Sequence, residues 1–231
     1  MRPTMRTIVV AAVSSGLILL ATARRVSAEE PEATPLFDGK SLDGWTTLDG
    51  KPVAAGWHAV DGVLAFDGKG GTIMTAEEFG DFDLRFEWKI AEGGNSGLKY
   101  KFKRFGGEWL GCEYQILDDA KHGDGKQGRT STGSLYHVCE PGEKKKLNPP
   151  GEWNSSRVVV RGTKIEHWLN GERILAIDTS SEEWKERIAK SKFRDVEGFG
   201  RNELGRIMLQ DHGSKVSFRK IEIRTPAGVG E

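Results

Sequence analysis

The sequence has little of what marks several protein classes. It holds two cysteines and eight prolines among 231 residues, and its 34 lysines and arginines are matched by 34 aspartates and glutamates. Without an excess of positive charge there is no field to condense on a phosphate backbone, which argues against nucleic acid as a partner. Two cysteines cannot build the disulfide framework of a small stapled scaffold, and two thiols are too few for a structural zinc. The region from 36 to 224 has no Pro-rich stretch, no linker and no internal repeat, so it reads as one domain. An aromatic content of 9% with mixed charge excludes a disordered chain.

The neutrality conceals an asymmetry. Residues 1–28 carry Arg2, Arg6, Arg24 and Arg25 and no acid, with an apolar run from Ile8 to Ala23 and the small-residue pattern Val26-Ser27-Ala28 before Glu29. A basic start, a short apolar core and small residues at the end form a secretory signal, expected to be cut after Ala28. The apolar run is about 16 residues, short of the roughly 20 a membrane span needs. The expectation is an exported protein, periplasmic or secreted, with no membrane attachment after cleavage. Removing the segment leaves 203 residues with 30 basic and 34 acidic side chains, net −4. A chain of that size buries about 70% of its unfolded surface and needs no covalent staple. Cys112 and Cys139 are therefore either a disulfide favoured by an oxidising compartment or two separate buried thiols, and neither reading makes them catalytic. Residues 29–35 and 226–231 read as solvated ends around a domain at 36–225.

After Ala28 the periodicity is two. Phe82, Leu84, Phe86, Trp88 and Ile90 alternate with Asp83, Arg85, Glu87 and Lys89, and Leu98, Tyr100 and Phe102 alternate with Lys99, Lys101 and Lys103, as expected of strands with one buried face. Shorter strands are expected at 57–60, 63–66, 72–75, 111–117, 133–138, 157–161, 165–169, 173–178, 205–210 and 216–224. Asp61-Gly62 and Asn170-Gly171 are strong hairpin signals. One helix of about 12 residues should begin near Ser180-Ser181-Glu182-Glu183, with Trp184 and Ile188 on its apolar side. The fold class is all-β, a two-sheet antiparallel jelly-roll sandwich with one short helix.

Polar residues in unusual places point to the chemistry. In Gly111-Cys-Glu-Tyr-Gln-Ile-Leu-Asp-Asp119, strand parity places Glu113 and Gln115 on one face, opposite Cys112, Tyr114 and Ile116. An acid beside an amide on an exposed sheet face suits carbohydrate, because carboxyls exchange protons and amides bridge adjacent hydroxyls. If Cys112 and Cys139 are bonded across neighbouring strands, Tyr136 joins the Glu113 side. Gln210 and His212 share a direction at the end of the strand 205–210, and a histidine there could move protons near neutral pH. Trp153 with Asn154 offers an aromatic plane and an amide for a sugar ring, or else core packing. Asp119, His122, Asp124 and Arg129 lie on the long Gly-rich loop 118–133, where binding residues are often carried. They could also hold a divalent metal, although the spacing fits no known loop signature, so no cofactor is expected.

Several segments together resemble the 3-keto-disaccharide hydrolase family: Asn95-Ser-Gly-Leu-Lys-Tyr100, Glu113-Tyr-Gln-Ile-Leu-Asp-Asp119, Thr132-Gly-Ser-Leu-Tyr136, Gly151-Glu-Trp-Asn154, His167-Trp-Leu-Asn-Gly171, Leu209-Gln-Asp-His-Gly213 and Phe218-Arg-Lys-Ile221. The resemblance spans about Leu36 to Arg224 and implies a concanavalin A-like jelly roll. It also implies an activity on small glycosides whose C3 hydroxyl has been oxidised, and hence an upstream sugar 3-dehydrogenase. Carried onto matching positions, it makes Glu113 or His212 the base, with the other or Asp119 as acid. Lys99, Gln115, Arg129 and Gln210 become candidate donors, His122 a further binding residue, and Tyr136 and Trp153 platforms. The Lys-rich stretch Glu143 to Lys146 is not part of the family pattern. Two alternatives stand: a non-catalytic carbohydrate-binding module on the same fold, and a conventional retaining glycosidase. The second is weakened because Gln115 stands where a carboxylate nucleophile would be needed.

Overall fold

The computed structural model describes residues 32–226; the expected signal segment lies outside the described residues. Among the described residues there are thirteen strands: β1 (Thr34–Pro35), β2 (Trp45–Thr47), β3 (Trp57–Val60), β4 (Val63–Phe66), β5 (Ile73–Thr75), β6 (Phe82–Ile90), β7 (Asn95–Phe105), β8 (Glu108–Leu117), β9 (Asn154–Arg161), β10 (Lys164–Leu169), β11 (Glu172–Asp178), β12 (Arg206–Leu209) and β13 (Val216–Arg224). One helix, α1 (Glu182–Ala189), lies between β11 and β12. The larger sheet runs β11-β10-β9-β6-β13-β4-β3, with β1 paired on β13, and the smaller runs β2-β5-β12-β7-β8. All pairings are antiparallel, so the fold is a jelly-roll sandwich. Thr34 and Pro35, read above as part of a solvated end, pair with Ile223 and Glu222 while remaining exposed.

The core lies between the sheets and is built from the alternating residues. From β6 come Phe82, Leu84, Phe86, Trp88 and Ile90, facing Leu98, Tyr100, Tyr114 and Ile116 of the smaller sheet. The sheets meet edge to face: Phe86 on Tyr114 at 5.6 Å and Phe82 on Tyr100 at 6.1 Å between ring centroids, the geometry that ring quadrupoles favour. The two expected hairpins form, with Asp61-Gly62 (φ 50° and 77°) and Asn170-Gly171 (φ 48° and 86°) in the left-handed region that such tight turns require.

Three expectations need correction. The alternation along β7 does not continue through Lys101: the β7–β8 register shifts between Tyr100 and Lys103, and Lys101 takes a positive φ of 50°. This bulge turns Phe102 to the opposite face, where it joins Met74 and Met208 in a separate apolar cluster. The buried Lys101 ammonium is satisfied by the Asn202 carbonyl at 2.6 Å. Segment 133–138 is a series of turns rather than a strand, because its hydrogen bonds alternate between β8 and its own backbone. The helix is 8 residues long, and Ser181 is its N-cap, accepting from the Trp184 N–H. Trp184 is thereby placed third in the helix and driven into the core.

Buried polar groups cross the sandwich. The Trp88 indole donates to Ser156 Oγ, Ser156 donates to the Tyr114 hydroxyl, both at 2.8 Å, and Tyr114 donates to the Trp168 carbonyl at 3.2 Å. Beside this chain, His167 is fully buried, with Nδ1 2.9 Å from the Gly133 carbonyl and Nε2 2.8 Å from the Tyr100 hydroxyl. A carbonyl only accepts, so Nδ1 carries the hydrogen and Nε2 receives the Tyr100 proton; the ring is neutral. Burial pushes the His167 pKa down from 6.5 to about 4. The unfolded chain therefore takes up this proton first as pH falls. The contribution to stability is complete above about pH 6.5 and is lost by about pH 4, amounting to roughly 3 kcal/mol. Urea unfolding of His167→Gln across this interval is expected to show a flatter dependence of stability on pH than wild type; equal slopes would count against a neutral buried imidazole.

Candidate functional site

The outward face of the smaller sheet carries the polar floor that strand parity indicated. Asn95, Gly97 and Lys99 come from β7, and Glu113 and Gln115 from β8, with Lys99 paired to Glu113 and Gly97 to Gln115. Gln210, just past β12, continues the ladder by donating its N–H to the Gly97 carbonyl at 3.0 Å. The Lys99 ammonium lies 3.4 Å from Glu113 Oε2, and their side chains are 17% and 4% exposed. A buried carboxylate is costly unless it is paired, and the direct cross-strand lysine supplies the pairing.

Glu113 and Gln115 were expected on an exposed face, yet both are buried. The cover is the run of turns 130–139, held to the edge of β8 by Gly133 N–H to the Gln115 carbonyl at 2.9 Å, Gln115 N–H to the Ser134 carbonyl at 3.3 Å and Tyr136 N–H to the Glu113 carbonyl at 3.0 Å. This run sets Tyr136 and His137 at the rim. The Tyr136 hydroxyl reaches Asp124 at 3.5 Å, and burial followed by the charges of Asp124 and Glu113 pushes its pKa up to about 12. His137 adopts a left-handed φ of 64°, a conformation that costs energy for any residue but glycine and tends to gather at working sites. Burial, then the charges of Lys192 and Arg129, lower the His137 pKa. Lys192 lies over the Tyr136 ring at 4.4 Å; partial burial lowers its pKa, opposed by Glu113.

Other expected site residues are placed elsewhere. Asp119 spends one carboxylate oxygen on the Thr132 N–H at 2.8 Å and the other on Lys145 at 2.5 Å, so it anchors the loop instead of reaching Glu113. Asp118 likewise binds the N–H groups of Gly93, Ala120 and Lys121. His122 caps the short turn that follows it, its Nδ1 accepting from the Asp124 N–H at 3.2 Å. His212 is exposed on the turn after Gln210, and among the described residues no hydrogen bond or ion pair joins it to Glu113 or Lys99. Arg129 is exposed next to His137, whose N–H its carbonyl accepts at 2.8 Å. Trp153 lies on the other sheet, under Arg219 at 4.0 Å and Lys89 at 5.0 Å, because the strand it precedes, β9, belongs to the larger sheet. Asn154 accepts from the Asn148 N–H and the Asn170 amide, both at 2.9 Å, and so ties two loops together. The cysteines are two free, buried thiols, so the parity argument that rested on a disulfide falls, although Tyr136 does reach the Glu113 side through the turns. Among the described residues no group of three His, Cys, Asp or Glu is gathered as metal ligands.

Gly97, His137 and Lys192 were not singled out from the sequence. Lys192 has no local signal, being brought in by the segment after α1. His137 could have been suspected only from the turns around it. Gly97 has an ordinary φ, so the demand for glycine comes from its neighbours: a Cβ there would sit 2.7 Å from Glu113 Oε1 and 3.1 Å from Gln210 Oε1.

Fold and floor together define a jelly-roll sandwich protein with an acid-and-amide site on the outer face of its smaller sheet. The chain belongs to the 3-keto-α-glucoside-1,2-lyase-like domain family, whose model matches residues 32–224. It is 31% identical over 223 residues to a 3-keto-disaccharide hydrolase of Bacteroides thetaiotaomicron, covering 82% of this chain and 77% of that one. A solved candidate glycosyl hydrolase from Parabacteroides distasonis is similar at 36% identity and TM-score 0.76, covering 83% of this chain and 93% of the other. A second from the same organism is similar at 27% identity and TM-score 0.66, covering 84% and 99%.

The glycine floor generates a test. Gly97→Ala should fold normally, since its φ suits alanine, while pushing the Glu113 carboxylate aside. A displacement of this size in a reacting group costs about 10²-fold in turnover. Unchanged turnover with an unchanged circular dichroism spectrum would remove Glu113 from the centre of the site.

Proposed function

We propose that this protein is an exported carbohydrate-active enzyme that cleaves small glycosides oxidised at C3, by removal of the C2 proton, elimination of the C1 aglycone and hydration. The observation that carries this reading is the buried Glu113 carboxylate, held by Lys99 on a floor of amides. The curated relative named as a 3-keto-disaccharide hydrolase supports the C3-ketone class.

A C3 ketone acidifies the C2 hydrogen, and Glu113 takes it as a proton. The electron pair left on C2 moves into the carbonyl as an enolate, whose oxygen is met by the Lys99 ammonium and the Gln115 amide. As the pair returns, the C1–C2 double bond forms, the C1–O bond breaks and the aglycone leaves with a proton. Tyr136, kept protonated by burial and by the neighbouring negative charges, is the rim group able to supply it. Water then adds at C1, giving one proton to the Tyr136 phenolate, while the proton held by Glu113 returns to C2, so both groups are restored with no net oxidation or reduction. Each positioned proton transfer contributes about 10²–10⁴-fold, and donors aimed at the enolate oxygen about 10²–10³ more. The ketone must come from oxidation of the C3 hydroxyl, so a sugar 3-dehydrogenase acts before this enzyme. A retaining glycosidase needs a second carboxyl about 5–5.5 Å from the first. Gln115 provides an amide instead, and Asp118 is engaged with backbone N–H groups.

Purified protein is expected to release the aglycone from a 3-keto-glucoside and to leave the unoxidised glucoside intact, with Glu113→Gln at least about 10³ slower. Binding of both sugars without turnover would make the protein a binding module, and cleavage of the unoxidised sugar would make it a conventional glycosidase.

A further inference from the structure

Folded proteins leave few buried polar atoms unpaired, and each one that persists calls for an explanation. Two such atoms lie on the floor of the site: Gln210 Oε1 and Asn95 Oδ1 have no hydrogen-bond partner within the protein. Gln210 is 9% exposed overall. The Gln210 N–H donates to the Gly97 carbonyl at 3.0 Å and the Gln210 carbonyl accepts from Ser96 Oγ at 2.9 Å, which places Gln210 beside β7, and the Asn95 N–H donates to Ser214 Oγ at 3.1 Å, which brings the turn after Gln210 alongside Asn95. Asn95 and Gly97 are two residues apart on one strand face, so the two orphan acceptors flank the glycine notch over which Glu113 Oε1 projects.

From this geometry we infer that Asn95 and Gln210 form an acceptor pair that reads hydroxyl donors of the bound sugar and so sets specificity for a ring with free hydroxyls. The inference rests on the carbohydrate reading above. Both atoms are acceptors, so their complement in a ligand is a donor. Anionic groups such as phosphate or carboxylate offer none, whereas a sugar ring presents hydroxyls spaced along one edge. A site built to bond a hydroxyl rejects an analogue lacking it, because the protein acceptor is then left unpaired. In the free protein the pair is a cost to the fold, which is the usual mark of a group kept for binding.

The test combines stability with a ligand series. Asn95→Leu and Gln210→Met keep side-chain size and remove the acceptors. Each is expected to leave the Tm unchanged or raise it by about 2 °C or more, since an unpaired buried acceptor has been replaced by an apolar group. Each should also raise KM for the 3-keto-glucoside by roughly 10-fold with a smaller change in kcat. With 3-keto-glucosides lacking the 2-, 4- or 6-hydroxyl, one analogue per variant should show the same KM in variant and wild type, identifying the hydroxyl read at that position. A fall in Tm of several degrees with unchanged KM would show the acceptors to be structural and overturn the inference. So would the same KM penalty on every analogue. Wild-type protein that neither binds nor turns over any glycoside of the series would overturn the carbohydrate reading itself, a result distinct from either of these.

Discussion

One proton position holds this sandwich together at its centre. His167 projects from the larger sheet, gives its Nδ1 hydrogen to the carbonyl of Gly133 and accepts from Tyr100 of the smaller sheet. Because the carbonyl can only accept, the tautomer has no freedom, and both bonds must be made together. Tyr100 follows Lys99 along β7, and Gly133 donates its own N–H to the Gln115 carbonyl. The imidazole thus fixes the strand that carries the lysine and the turn that covers the amide. Low local dielectric strengthens such a chain of bonds while making any unpaired member costly. The parallel chain through Trp88, Ser156 and Tyr114 repeats the arrangement on the neighbouring strand of the sheet.

The site uses the opposite arrangement. Where the His167 ring and the Trp88, Ser156 and Tyr114 chain are paired through the core, the outer face pairs Glu113 with one lysine and leaves two amide oxygens unpaired. Around that floor the rim gathers Tyr136 and His137 from the covering turns and Lys192 from the segment after α1. A left-handed backbone at His137 and acceptors without partners at the floor occur together at this site, and such departures are where a fold gives up stability for function.

The layout of strands was legible because period two is a direct consequence of the pleat. Strand β6 and the Asp61-Gly62 and Asn170-Gly171 hairpins could be located from residue alternation and turn chemistry alone. The parity of Glu113 and Gln115 was legible for the same reason. Their burial was not, because the covering segment 130–139 is held by turn hydrogen bonds that leave no alternation to read. The bulge at Lys101 was hidden because its lysines and apolar residues alternate as though the strand were regular. Trp153 was placed wrongly because a residue before a strand gives no sign of which sheet that strand joins. Lys192 and Gly97 depend on contacts between elements far apart in sequence, and no window of neighbouring residues contains that information.

The segment 130–139 has a further role that follows from where it lies. Strand β8 is the last of the smaller sheet, and an uncovered edge presents a row of backbone donors and acceptors to which another molecule can add a strand. Turns that spend their own N–H and C=O groups on β8 close that row from Glu113 to Leu117 without offering a new one, since successive turns cannot propagate a ladder. The same ten residues that shelter the acid from water therefore also keep neighbouring molecules from joining edge to edge, so that a shortening of this segment would threaten solubility as directly as catalysis.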